Sequence, residues 1–224
     1  MTNLETPKPS NYLRIAWQSA LAAGLCLGLP ATLLFWLILF QDMNHSTFFA
    51  PFVQLLQVNG LNKIILLMIC SLLWSFLLGK ISGYRRWWQI GLATLLGILI
   101  GWFSPLSNLD GWLPVTAGDK LPIHTLYAIA MCGIVFSATS CVGLAYGLIL
   151  RNAKAALVLA LTTSLVSVLT MLLSIILFDQ FGIRVGGTVD LAMSKVTGVS
   201  LMMSAITGGT VLGVGFSRFV ANQK

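Results

Sequence analysis

The sequence predicts an all-α polytopic membrane protein: six transmembrane helices, arranged as three tandem helical hairpins in a pseudo-threefold array. Three observations carry this. The chain is 57% hydrophobic and only 8% charged, with a mean hydropathy of +0.90, whereas a soluble domain carries about 25% charged residues. The apolar residues fall in blocks of about 16 or more, the length that crosses a bilayer. Finally, glycine pairs four apart close alternate blocks, each with a cation just beyond. These are Gly79 and Gly83 before Arg85, Gly143 and Gly147 before Arg151, and Gly209 and Gly213 before Arg218. Such recurrence marks an internal repeat, with units at 13–87, 88–154 and 155–224.

Residues 1–12 are polar, with Pro7 and Pro9, and read as a flexible cytoplasmic tail. Residues 13–224 read as a single six-helix transmembrane domain. The first span covers Leu13 to Phe40, where Gly24 and Gly28 lie on a seam of small residues and Pro30 should bend the helix. It is too long for the apolar core of a signal peptide and reads as retained. The segment Phe48 to Leu56 is too apolar for a solvated loop and too short to span. It is expected to lie in the membrane interface, with a re-entrant lid as the sharper alternative.

The second span, Ile64 to Gly79, is bracketed by Lys63 and Lys80 and followed by Arg85, Arg86, Trp87 and Trp88, a basic and aromatic belt. The third, Gln89 to Phe103, carries Gly97 and Gly101. A polar loop with Asp110 and Asp119 precedes the fourth span, His124 to Leu150. The turn Arg151 to Lys154 is so short that spans four and five must be antiparallel neighbours. The fifth span is Ala155 to Phe178 and the sixth Gly198 to Phe216.

Cations set the orientation. With the N-terminus cytoplasmic, nine of the 13 lie inside: Lys8, Arg14, Lys80, Arg85, Arg86, Arg151, Lys154, Arg218 and Lys224. Lys63, Lys120, Arg184 and Lys195 fall outside. This follows the positive-inside bias and places both termini in the cytoplasm of what is expected to be a bacterial cytoplasmic membrane. The net charge of +7 is scattered over span ends and does not form a nucleic-acid face.

No Asp, Glu, Lys or Arg falls in the middle of a span. Intramembrane charges mark proton relays and ion-coupled sites, so their absence argues against pumps and proton-coupled carriers. The motifs HExxH, GxSxG and the P-loop are missing, and no catalytic role is assigned. The four cysteines lie in apolar runs without a CxxC pair, and His45 and His124 sit near the outer interface. No metal site and no cofactor are expected.

The remaining candidate is polar and uncharged. Thr163, Ser167, Thr170 and Ser174 form one stripe on span five; Ser200, Ser204 and Thr207 form another on span six. Hydroxyls of this kind either join helices or line a path for a neutral solute. The leading expectation is a small permease or transporter subunit for a neutral or amphipathic solute. The alternative is a non-catalytic scaffold or accessory subunit, binding other membrane subunits or further copies of itself through glycine-rich faces. An enzyme using the Asp and His residues of the outer loops is a weaker third.

Overall fold

In the computed structural model, residues 9–30, 32, 60–102, 123–180 and 189–222 are described. Their regular structure is entirely helical, with no strand among the described residues. Helix α1 runs Pro9–Ala23 and continues through a π-helical turn, Gly24–Gly28. Then come α2 (Gly60–Ser82), α3 (Trp87–Trp102), α4 (Ile123–Ile149), α5 (Ala153–Gln180) and α6 (Val189–Ala221). Helices α2, α4, α5 and α6 are each long and apolar enough to cross a membrane. Helix α3 is apolar from Trp87 to Gly101 and shorter. The protein is therefore a helical, membrane-embedded one.

Several boundaries differ from the sequence reading. Residues 9–12, assigned to the tail, are helical, because Pro9 suits the first position of a helix. Helix α6 begins at Val189, nine residues before the expected start at Gly198, and so carries Lys195, which the sequence reading leaves outside the span. Leu191, Ala192, Met193 and Lys195 are all strong helix formers. Just before Pro30, where a bend is expected, the helix widens into the π-helical turn. Leu29 N–H donates five residues back to the Gly24 carbonyl, and the register shifts ahead of the missing proline donor. The segment Phe48 to Leu56, His45, Asp42, Asp110 and Asp119 lie outside the described residues.

Each helix packs on the next in the chain, and α6 returns to pack on α1. Helix α6 also touches α2 and α4, so the even-numbered helices approach the centre. The main core is accordingly built from Trp74 and Leu78 on α2, Tyr146 on α4, and Leu212 and Phe216 on α6, with Ile90 and Leu159 closing its sides. A smaller cluster of Met131, Val135 and Met171 joins α4 and α5 nearer their other ends. The outer faces are lined with exposed leucines, such as Leu157, Leu161, Leu165, Leu169 and Leu173 on α5. A row of apolar residues four apart facing outward is what lipid contact requires.

Two inter-helix turns share one capping geometry. At the end of α2, Tyr84 N–H donates to the Gly79 carbonyl (3.0 Å), and Gly83 takes φ 69°. At the end of α4, Asn152 N–H donates to the Gly147 carbonyl (3.1 Å) and Arg151 N–H to Leu148 (3.0 Å), with Arg151 at φ 51°. Both are left-handed helix caps of the Schellman kind, whose turning residue is ordinarily glycine. Holding arginine there costs about 1 kcal/mol. Asn152 then caps α5, its Oδ1 accepting from Ala155 N–H at 3.0 Å.

Candidate functional site

Glycines bring the helices together, and their partners can be named. A side chain on Gly147 would run into the Ala156 backbone, and one on Gly143 into Ala160, both on α5. On α6, Gly213 faces Ser19 and Gly209 faces Ala23 of α1. On α2, Gly79 faces Trp87 of α3, and one turn back Ser75 faces Gly91. A Cβ on Gly97 would lie 2.8 Å from Val142 Cα, and one on Gly101 would strike Ala138, both on α4. Gly24 meets Ile206 and Gly28 meets Met202, so both look onto α6.

Two features of this set depart from the sequence reading. Gly79 resembles Gly147 and Gly213 in its contact and Gly147 in its cap, whereas Gly83 is the turning residue of the α2 cap. One turn deeper, Ser75 meets Gly91 much as Gly143 meets Ala160 and Gly209 meets Ala23, so the contact residues of α2 are Ser75 and Gly79 where the glycine spacing pointed to Gly79 and Gly83. Moreover, these contacts are made within the chain, so the glycine faces are already occupied.

The hydroxyl stripes of α5 and α6 face each other. Ser204 Oγ donates to the Ser167 carbonyl at 3.0 Å, and Thr207 Oγ1 to Thr170 Oγ1 at 3.0 Å. Thr170 and Ser174 also donate to carbonyls four residues back in their own helix. Thr163, Ser167 and Ser200 are buried with no partner for their hydroxyl oxygens. Ser167 Oγ lies directly over Gly208, close enough for the weak Cα–H···O contact common where helices touch.

The sequence did not single out the polar group at the centre. Trp74 on α2 donates its indole N–H to the Tyr146 hydroxyl of α4 at 2.8 Å. Thr94 Oγ1 of α3 lies 2.7 Å from the same hydroxyl and also donates to the Ile90 carbonyl at 2.8 Å. The Tyr146 ring meets Phe216 of α6 edge-on, with centroids 5.2 Å apart. Trp74, Tyr146 and Phe216 are fully buried. Four helices are thereby tied by one satisfied polar knot sealed in aromatic rings. The readable signal was depth. Trp and Tyr belong at membrane interfaces, and a mid-span Trp74 needs an internal partner for its polar atom.

Outside this knot, α3 and α4 enclose a groove of about 900 Å³ that opens to the surface. Its floor is made of small residues, Ala93, Gly97, Cys141 and Ala145, and its walls of Leu92, Leu96, Ile100, Leu144 and Leu148. At the turn end stand Arg86, Arg151, Gln89, Trp88 and Tyr84. The Tyr84 hydroxyl donates to Gln89 Oε1 at 2.7 Å, and its ring packs edge-on against Phe216. Burial pushes the Tyr84 phenol above its ordinary range, while the nearby Arg86 and Arg151 guanidiniums pull it down.

Among the described residues, no cluster of three His, Cys, Asp or Glu could hold a metal ion. Cys26 and Cys70 are buried and unpaired, and Cys132 and Cys141 are half-buried and unpaired. No family model matches the chain, and comparison with curated proteins and with solved structures returned no match.

Proposed function

We propose that the chain is a six-span, non-catalytic membrane scaffold or accessory subunit with a closed centre. The observation that carries the reading is the knot of Trp74, Thr94, Tyr146 and Phe216, whose three aromatic rings are fully buried where α2, α3, α4 and α6 meet. Its partners would be the bilayer and other membrane subunits or a second copy. With the glycine faces occupied inside the bundle, such partners would meet the leucine-lined outer faces.

The pseudo-threefold array belongs to the same proposal. It is supported by three matching contacts: Gly79 on Trp87, Gly147 on Ala156, and Gly213 on Ser19, each with a second small-residue contact one turn deeper. In this arrangement α2, α4 and α6 surround the axis and α3, α5 and α1 lie outside. The orientation is supported by the cations. Lys80, Arg85, Arg86, Arg151, Lys154 and Arg218 gather where α2, α4 and α6 end, and the positive-inside bias supports that end and both termini facing the cytoplasm of a bacterial cell.

A permease for a neutral or amphipathic solute is the second reading. It rests on the buried hydroxyls of Thr163, Ser167 and Ser200, which lack partners and could meet a solute or water.

Topology and flux test these readings together. A reporter fused after Lys224, or inserted between Arg151 and Lys154, should read the cytoplasm, and one near Asp110 the outside. Reversed or mixed signals would remove the six-span plan. Proteoliposomes containing the protein should swell in glycerol or urea gradients no faster than protein-free vesicles. A faster rate that Tyr146→Ala changes would move the assignment to the permease.

A further inference from the structure

We propose that the groove between α3 and α4 is a binding site for an anionic phospholipid, with its phosphate between Arg86 and Arg151 and one acyl chain along the small-residue floor. The site depends on the chain lying in a membrane, and it stands whether the bundle is a scaffold or a permease.

Its shape fits the apolar part. From Gln89 to Ile100 the groove follows α3 for about 16 Å, one leaflet of a hydrocarbon core about 30 Å thick. Ala93, Gly97, Cys141 and Ala145 keep the floor low, so a chain can sink between the leucines on either side. Smooth lipid-facing helices offer no such trough.

Its chemistry fits the head. Arg86 and Arg151 come from different turns and converge on one mouth. Among the described residues neither guanidinium has an ion-pair partner. An arginine fork is matched to phosphate oxygens, and basic pockets between spans on the cytoplasmic side are where anionic headgroups bind. The Gln89 amide and the Trp88 indole stand at the level where glycerol and ester groups would sit.

The backbone adds an independent argument. The α2 cap has Gly83 at its left-handed position, whereas the α4 cap has Arg151. A glycine would suit that conformation better, so the charge is kept against the local preference. Strain of this kind is retained where the side chain has a task.

The experiment compares phosphatidylglycerol with phosphatidylcholine of the same acyl chains, added to delipidated protein in detergent, with retained lipid counted by mass spectrometry. The wild type should retain phosphatidylglycerol preferentially. The Arg86→Gln/Arg151→Gly double variant should lose about 30-fold in that preference, from roughly 1 kcal/mol for each basic residue. Its thermal stability without lipid should not fall, since glycine suits the cap. Ala93→Phe, which fills the floor and spares both arginines, should weaken retention of either lipid. Arg218→Gln removes a cation of the same end away from the groove and should leave the preference intact. Equal retention of the two lipids by wild type, an unchanged preference in the double variant, or an equal loss in Arg218→Gln would each overturn the site.

Discussion

Gly147→Leu should be the most damaging single change in the bundle, lowering stability by about 3 kcal/mol or more. The α4–α5 contact is made backbone to backbone, and a side chain at Gly147 meets Ala156 main-chain atoms that cannot rotate away. Even Gly147→Ala should be felt, as should Gly101→Ala, which strikes the Ala138 backbone. At Gly24 the neighbour is the Ile206 side chain at 3.1 Å, and a shift of a few tenths of an ångström relieves it. Gly24→Ala should therefore cost below about 1 kcal/mol. Thermal melts of the purified variants in one detergent check the order. A Gly24 variant less stable than its Gly147 counterpart would contradict the packing described.

Removal of Trp74 should be nearly as severe by a different route. Trp74→Ala opens a cavity among Leu78, Tyr146 and Leu212 and strips the Tyr146 hydroxyl of a donor, for about 3–5 kcal/mol. Tyr146→Phe keeps the ring against Phe216 and removes only the hydroxyl. It leaves the Trp74 indole N–H buried and unpaired, at about 1–3 kcal/mol. Thr94→Val should fall below Tyr146→Phe, because the Trp74–Tyr146 bond survives it. The three together form a coupled set. The double variant Trp74→Phe/Tyr146→Phe should lose less than the sum of its singles, since each single already breaks the shared bond. Strict additivity would mean that the bond contributes nothing.

Much of the fold could be read before the structure, and the reasons are physical. In lipid the backbone must pair internally, as a helix or a closed barrel, and a continuous apolar run of about 20 residues fits only the helix, so apolar length alone locates α2, α4, α5 and α6. The short turn from Arg151 to Lys154 marks the hairpin of α4 and α5. The glycine pairs pointed to close helix contacts, yet spacing could not separate two uses of the same residue. Gly79 is needed for approach and Gly83 for its positive φ, whereas in α4 the approach falls to Gly143 and Gly147 and the positive φ to Arg151. A pattern in composition thus concealed a register that only contact geometry resolves. The central knot went unread for another reason. Trp74, Thr94, Tyr146 and Phe216 come from four helices, and no local periodicity links them. The groove is likewise a property of two facing helices. Arg86 and Arg151 look like ordinary orientation charges in the sequence and acquire a shared mouth only when α3 packs on α4.

Thiol accessibility along the hydroxyl stripes tests the closed centre most directly. Single cysteines would replace Thr163, Ser167, Thr170 and Ser200 in a background lacking Cys26, Cys70, Cys132 and Cys141. A charged, membrane-impermeant thiol reagent would then be applied from each side in turn. Only a wetted thiol ionises and reacts readily, so labelling reports water at each site. A closed bundle predicts that all four stay unreactive from both sides, while a cysteine in the Arg151 to Lys154 turn labels fully from the cytoplasm. Labelling of a continuous stripe from one side, slowed by an added neutral solute, would contradict the closed centre and establish a route through the protein.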